Sequence, residues 1–220
     1  GDIDRVEAMS RLLESKERID LDGSLIRLTL LLNPENTDAF LLAAKRDNDY
    51  GNAQSALETA ERGLSLEPEN IHLAVQKARA LHAKGEKETA YAQLNDLVKR
   101  YSGDVEVNLY LSALMAGDKI NLPLAENIAR GAHFWEMGSL RTVSNLAFVY
   151  LQSGRYDLAA GETQAVTLQH ADWGETQYLY GAATFMLGKK SEARPYLERA
   201  LELGIPTKYR EKARELLPGM

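Results

Sequence analysis

Landmark residues recur along this chain at a period of 34, and a fixed period of that length means stacked copies of one small supersecondary unit. Asn33-Pro34-Glu35-Asn36 is followed one period later by Glu67-Pro68-Glu69-Asn70. Gly51 is followed by Gly85, Ala44 by Ala78 and Ala56 by Ala90. Further on, Gly154 pairs with Gly188, Ala159 with Ala193 and Ala147 with Gly181. Gly85 and Gly154 stand 69 residues apart, twice the period plus one, so one residue is inserted between them. The late position of Ala125 places that insertion in the 117–124 turn, where Asn121 and Pro123 read as a helix cap and an early helical proline.

One period reads as a helical hairpin. Residues 37–46, TDAFLLAAKR, carry Phe40, Leu41, Ala43 and Ala44 at helical spacing. The polar stretch DNDYGN at 47–52 suits a turn. Residues 53–66, AQSALETAERGLSL, place Ala56, Leu57, Ala60 and Leu64 on one stripe. Pro68 then ends the helix, because proline lacks an amide hydrogen and disfavours helix in the residue before it. Neither helix buries its apolar face alone, so neighbouring hairpins must stack.

The pattern resembles the tetratricopeptide repeat, most closely over residues 145–159, NLAFVYLQSGRYDLA. There Leu146, Ala147, Tyr150, Gly154, Tyr156 and Ala159 fall on the family's small, aromatic and turn positions. The expected fold is an all-α, right-handed superhelical solenoid of about six helix-turn-helix repeats plus a capping helix. The repeat frames are 3–36, 37–70, 71–104, 105–139, 140–173 and 174–206, followed by a cap at 207–217 that is expected to cover Leu197 and Leu201. The unbroken phase predicts one elongated array. The related pentatricopeptide RNA binders have a period one residue longer, and the charge here has the wrong sign for them.

Composition narrows the function. Lys and Arg total 26 against 32 Asp and Glu, a net charge of −6, which disfavours binding driven by nucleic-acid phosphates. There is no cysteine, so disulfides, thiolate catalysis and thiolate zinc sites are excluded. His72, His82, His133 and His170 show no metal-ligand spacing, and neither a Gly-rich phosphate loop nor a nucleophile elbow is present. No cofactor, metal or catalytic residue is expected. The longest apolar run, 25–32, contains Arg27 and is too short to span a bilayer. No signal peptide is legible, and the opening at Gly1-Asp2, close to the first expected helix, reads as a processed or partial chain. A soluble protein of the cytoplasm or periplasm is expected.

The resemblance implies a non-catalytic scaffold whose first helices line a groove for a peptide or helix of another protein. Carried over position by position, the groove residues are Lys45, Asn48, His72, Arg79, His82, Phe148, Leu151, Tyr178 and Phe185. Lys45, His72, Arg79 and His82 suit a carboxylate-bearing ligand, and the last four suit apolar side chains. The family's clamp for chaperone C-termini is missing, because Leu41/Lys45 and Val75/Arg79 stand where it needs Lys followed by Asn. Phe134, Trp135 and Met137 depart from the repeat; they read as a plug of the repeat interface or, alternatively, as a second binding surface. Self-association is a further option. The rival functions are a bacterial envelope adaptor for pilus or secretion assembly, and a regulatory or oligomerising segment of a larger enzyme or sensor.

Overall fold

The structure is a computed structural model that describes residues 19–219. The first helix of the expected 3–36 repeat lies outside the described residues. Among those described, regular structure is entirely helical. The helices are α1 (Ile19–Leu32), α2 (Thr37–Asp49), α3 (Ala53–Leu66), α4 (Ile71–Ala83), α5 (Lys87–Arg100) and α6 (Val105–Gly117). They continue as α7 (Leu122–Trp135), α8 (Leu140–Gln152), α9 (Tyr156–Gln169), α10 (Gly174–Met186), α11 (Lys190–Glu202) and α12 (Thr207–Leu216), with a short 3₁₀ turn at Leu217–Gly219. The chain forms two compact units, one ending at Asp96 and the other beginning at Leu97, where the repeat phase alone predicts a single array.

The recurring motifs act as punctuation. Asn36, Asn70 and Asp104 cap α2, α4 and α6, their side chains accepting from the amides of Ala39 at 2.8 Å, Leu73 at 3.0 Å and Val107 at 2.9 Å. Each such cap is worth about 1 kcal/mol. Pro34 and Pro68 stop the preceding helix two residues before the first two caps. Glu67 ties the two ends of the 37–70 repeat: its carboxylate accepts from Asn70 Nδ2 and from Thr37 Oγ1, both at 2.8 Å. These bonds, Asn70 first, hold the carboxyl below its ordinary range.

Within a hairpin the chain reverses through a glycine with left-handed backbone, such as Gly51 at φ 79° and Gly154 at φ 75°. The α6–α7 turn differs. It holds four residues, 118–121, against three in the other hairpins, and Lys119 and Asn121 take its positive φ values of 57° and 46°. Asn121 caps α7 with its side chain, and Pro123 sits in the first turn.

Small residues carry the packing. In the first unit Ala56 and Leu57 of α3 meet Ala80 and Leu81 of α4 and Ala90 of α5. A Cβ added at Gly63 would lie 2.7 Å from Leu73 Cδ1 and 3.1 Å from Phe40 Cβ, so the helices meet on bare backbone. In the second unit a Cβ at Gly181 would lie 2.9 Å from Cγ of Leu197, which is fully buried. Burying such a leucine is worth roughly 1.5–3 kcal/mol.

Candidate functional site

In the first unit the expected polar residues fall on α2 and α4, the first helices of consecutive hairpins. His72, Arg79 and His82 share one stripe of α4, and Lys45 and Asn48 share one of α2, because residues three, four and seven apart lie on the same helix face. All five are half-buried. Gln76, fully buried and not foreseen from the sequence, is the hub between them. Asn48 Nδ2 donates to the Gln76 carbonyl at 3.0 Å and to Gln76 Oε1 at 3.2 Å. Arg79 donates to the same Oε1 at 2.8 Å and to Asp49 at 2.8 Å. Asn48 and Arg79 therefore tie the two helices together as well as lining the face. The Arg79 guanidinium is thereby held in one orientation. His82 packs edge-on against Tyr91 of α5, ring centroids 5.8 Å apart. Lys45 stands beside this network without joining it.

The expected apolar end of the groove is corrected by the structure. Tyr178 of α10 is only 2% exposed and Phe148 of α8 only 7%. Tyr209 of α12 covers both: its ring stacks on Tyr178 at 4.7 Å and meets Phe148 edge-on at 5.9 Å. The last helix thus places its buried aromatic on the first-helix face while also packing against α11, which carries Leu197 and Leu201. Burial, with the Glu215 charge adding, pushes the Tyr178 hydroxyl up to about 12. Burial and the Glu175 carboxylate, which accepts its hydrogen bond, raise Tyr209 well above the ordinary range. The signal in the sequence was faint. In TKYREKARELL, Tyr209 and Ala213 are one turn apart on an otherwise charged helix, and both are buried. Leu151 and Phe185 remain half-buried, with Lys190 Nζ 5.4 Å over the Phe185 ring.

Phe134, Trp135 and Met137 do not plug a repeat interface. They are 69%, 66% and 75% exposed. Ala125, Ala129 and Ala132 already fill the buried face of α7, which leaves the aromatic pair to project from its last turn. Phe134 and Trp135 meet edge-on at 5.9 Å, and Gly138, at φ 81°, turns the chain just beyond.

Among the described residues no group of three or more His, Asp or Glu side chains is placed to hold a metal ion. No described helix is long and apolar enough to cross a membrane.

Neither a protein-family model nor a curated protein matches the chain. Solved structures do match it in fold. The thermophilic TPR protein TTC0263 of Thermus thermophilus superposes with a TM-score of 0.69 at 20% identity, over 83% of this chain and 99% of that one. A tetratricopeptide repeat protein from Parabacteroides merdae gives 0.62 at 18% identity, over 96% and 84%. YrrB, described as a TPR protein with an unusual peptide-binding site, gives 0.52 at 14% identity, over 86% and 97%.

Proposed function

From a chain with the tetratricopeptide-repeat fold, we propose a non-catalytic interaction scaffold that captures a segment of another protein on the first-helix face of its first unit. The observation that carries this reading is the polar strip of Lys45, His72, Arg79 and His82, in which buried Gln76 fixes Arg79 and the adjoining Asn48. Bracing lowers the entropy lost when side chains are immobilised on binding. Lys45, with two imidazoles and the Asp49-paired Arg79 beside it, favours a ligand carrying a carboxylate, whether extended or helical. YrrB lends support as a fold neighbour with a peptide-binding site. The apolar contribution to such a face comes from half-buried Leu41, one turn before Lys45, since Phe148 and Tyr178 are occupied by Tyr209.

The test is a native pull-down on the full chain and on Lys45→Glu, read by mass spectrometry. Lys45 is half-buried and outside the Gln76 network, so its reversal leaves the fold intact. A partner retained by the wild type and lost by the variant supports the reading. An identical captured set places recognition elsewhere.

A further inference from the structure

The hold on Arg79 is divided between a buried neutral group and an exposed charged one. Its Nη1 donates to Oε1 of fully buried Gln76 at 2.8 Å. Its Nη2 meets Oδ1 of Asp49 at 2.8 Å. The Arg79 side chain is 17% exposed and that of Asp49 is 53%. An exposed carboxylate gains little from such a pair, because water solvates it nearly as well.

Asp49 is also poorly placed for a negative charge. It is the last residue of α2, where the aligned peptide dipoles already put partial negative charge. Arg46, the cation of the same last turn, lies over the Tyr50 ring at 5.4 Å. Among the described residues Asp49 forms its ion pair with Arg79. Lys45 stands one turn before Asp49 on the same face of α2. A carboxylate in the place of Asp49 therefore lies between the Arg79 guanidinium and the turn that carries Lys45.

On the reading that this face captures a carboxylate-bearing segment, we propose that Asp49 is a placeholder, displaced from Arg79 Nη2 by the partner's carboxylate. Arg79 is then the residue that takes the carboxylate, and Gln76 the residue that positions it. Gln76 is neutral, so it anchors the guanidinium without competing for its charge. Asp49 turns into water and leaves no buried group behind. The swap exchanges one carboxylate for another, so Arg79 is satisfied before and after. A segment without an acid finds Arg79 already paired and gains nothing from it, which makes the pair a filter for acidic partners.

The test is a titration of a hexaglutamate peptide, blocked at both ends, into the full chain and three variants, followed by NMR. Asp49→Asn is expected to bind about threefold more tightly than wild type, the effect of removing an exposed competing ion pair. Asp47→Asn removes the same charge two residues away, from a carboxylate that accepts from Ser55, and is expected to match wild type. Lys45→Glu is expected to weaken binding, with the deficit shrinking as salt is added. Circular dichroism confirms that the variants keep their helix content. A purely structural Asp49 pair predicts the opposite direction, because its loss would loosen Arg79 and weaken binding. Asp49→Asn binding no more tightly than wild type, or an equal gain in Asp47→Asn, overturns the placeholder, while a loss on Lys45→Glu still supports the face. Binding that ignores Lys45→Glu, or no binding by any form, overturns both.

Discussion

The ring of Tyr209 lies on the ring of Tyr178, centroids 4.7 Å apart and planes 23° apart, so the last helix seals part of the first-helix face of the second unit. A terminal repeat exposes an apolar face that needs a cover, and here one aromatic side chain supplies the centre of it. The seal has consequences for stability, for the response to alkali and for where a partner binds.

Tyr209→Ala removes the stack on Tyr178 and the edge contact with Phe148. The expected cost is about 3–5 kcal/mol, the range for a large aromatic cut back to alanine in a core. Tyr209→Phe keeps the rings and loses the hydrogen bond to Glu175, an expected cost of about 1–2 kcal/mol. Urea unfolding of the two variants checks the ordering. Deleting residues 207–220 is expected to lower the melting temperature and to promote association, because Phe148 and Tyr178 become exposed.

Alkaline pH acts on the same pair. Tyr178 and Tyr209 bind their protons more tightly folded than unfolded, since burial opposes the phenolate. Their contribution is fully present below the ordinary tyrosine value of 10.0 and is lost as pH rises through the folded value, about 12 for Tyr178. Stability measured across that window is expected to fall. Tyr178→Phe flattens the fall, because phenylalanine has no proton to lose. Tyrosinate absorbance in the near ultraviolet is expected to show two residues that ionise only as the second unit unfolds.

Gly181→Ala is expected to destabilise the second unit by about 1–3 kcal/mol, although alanine is the better helix former. The new methyl would meet Leu197 Cγ at 2.9 Å and the Leu197 amide nitrogen at 3.2 Å, and backbone does not yield as a side-chain end does. Leu197→Val in the same chain relieves only the side-chain part of the clash. A double-mutant cycle is therefore expected to show favourable coupling between the two positions.

The helical hairpins were legible because their punctuation is local chemistry. Pro34 and Pro68 end helices, Asn36 and Asn70 start them, and Gly51, Gly85, Gly154 and Gly188 take left-handed turns. Each acts within a few residues, so spacing alone reveals it. The polar groove residues were legible as positions but not as a network, because Gln76 joins Asn48 to Arg79 across two helices. The filling of the apolar end was hidden. A repeat register assigns Phe148 and Tyr178 to the first-helix face, but it says nothing of which later segment lies on that face. Phe134 and Trp135 stood between a plug and an exposed surface for a related reason: the alanines of α7 already complete the buried stripe, which the repeat register does not reveal.

The central claim is that the first unit's first-helix face recognises a carboxylate-bearing segment. Once pull-down has named the partner, calorimetry of its binding segment on wild type and Lys45→Glu, at low and at physiological salt, tests that claim most directly. The account predicts affinity reduced by about tenfold at low salt, a smaller deficit at physiological salt, and no change for Trp135→Ser. Equal affinity of Lys45→Glu and wild type at both salt concentrations would contradict it.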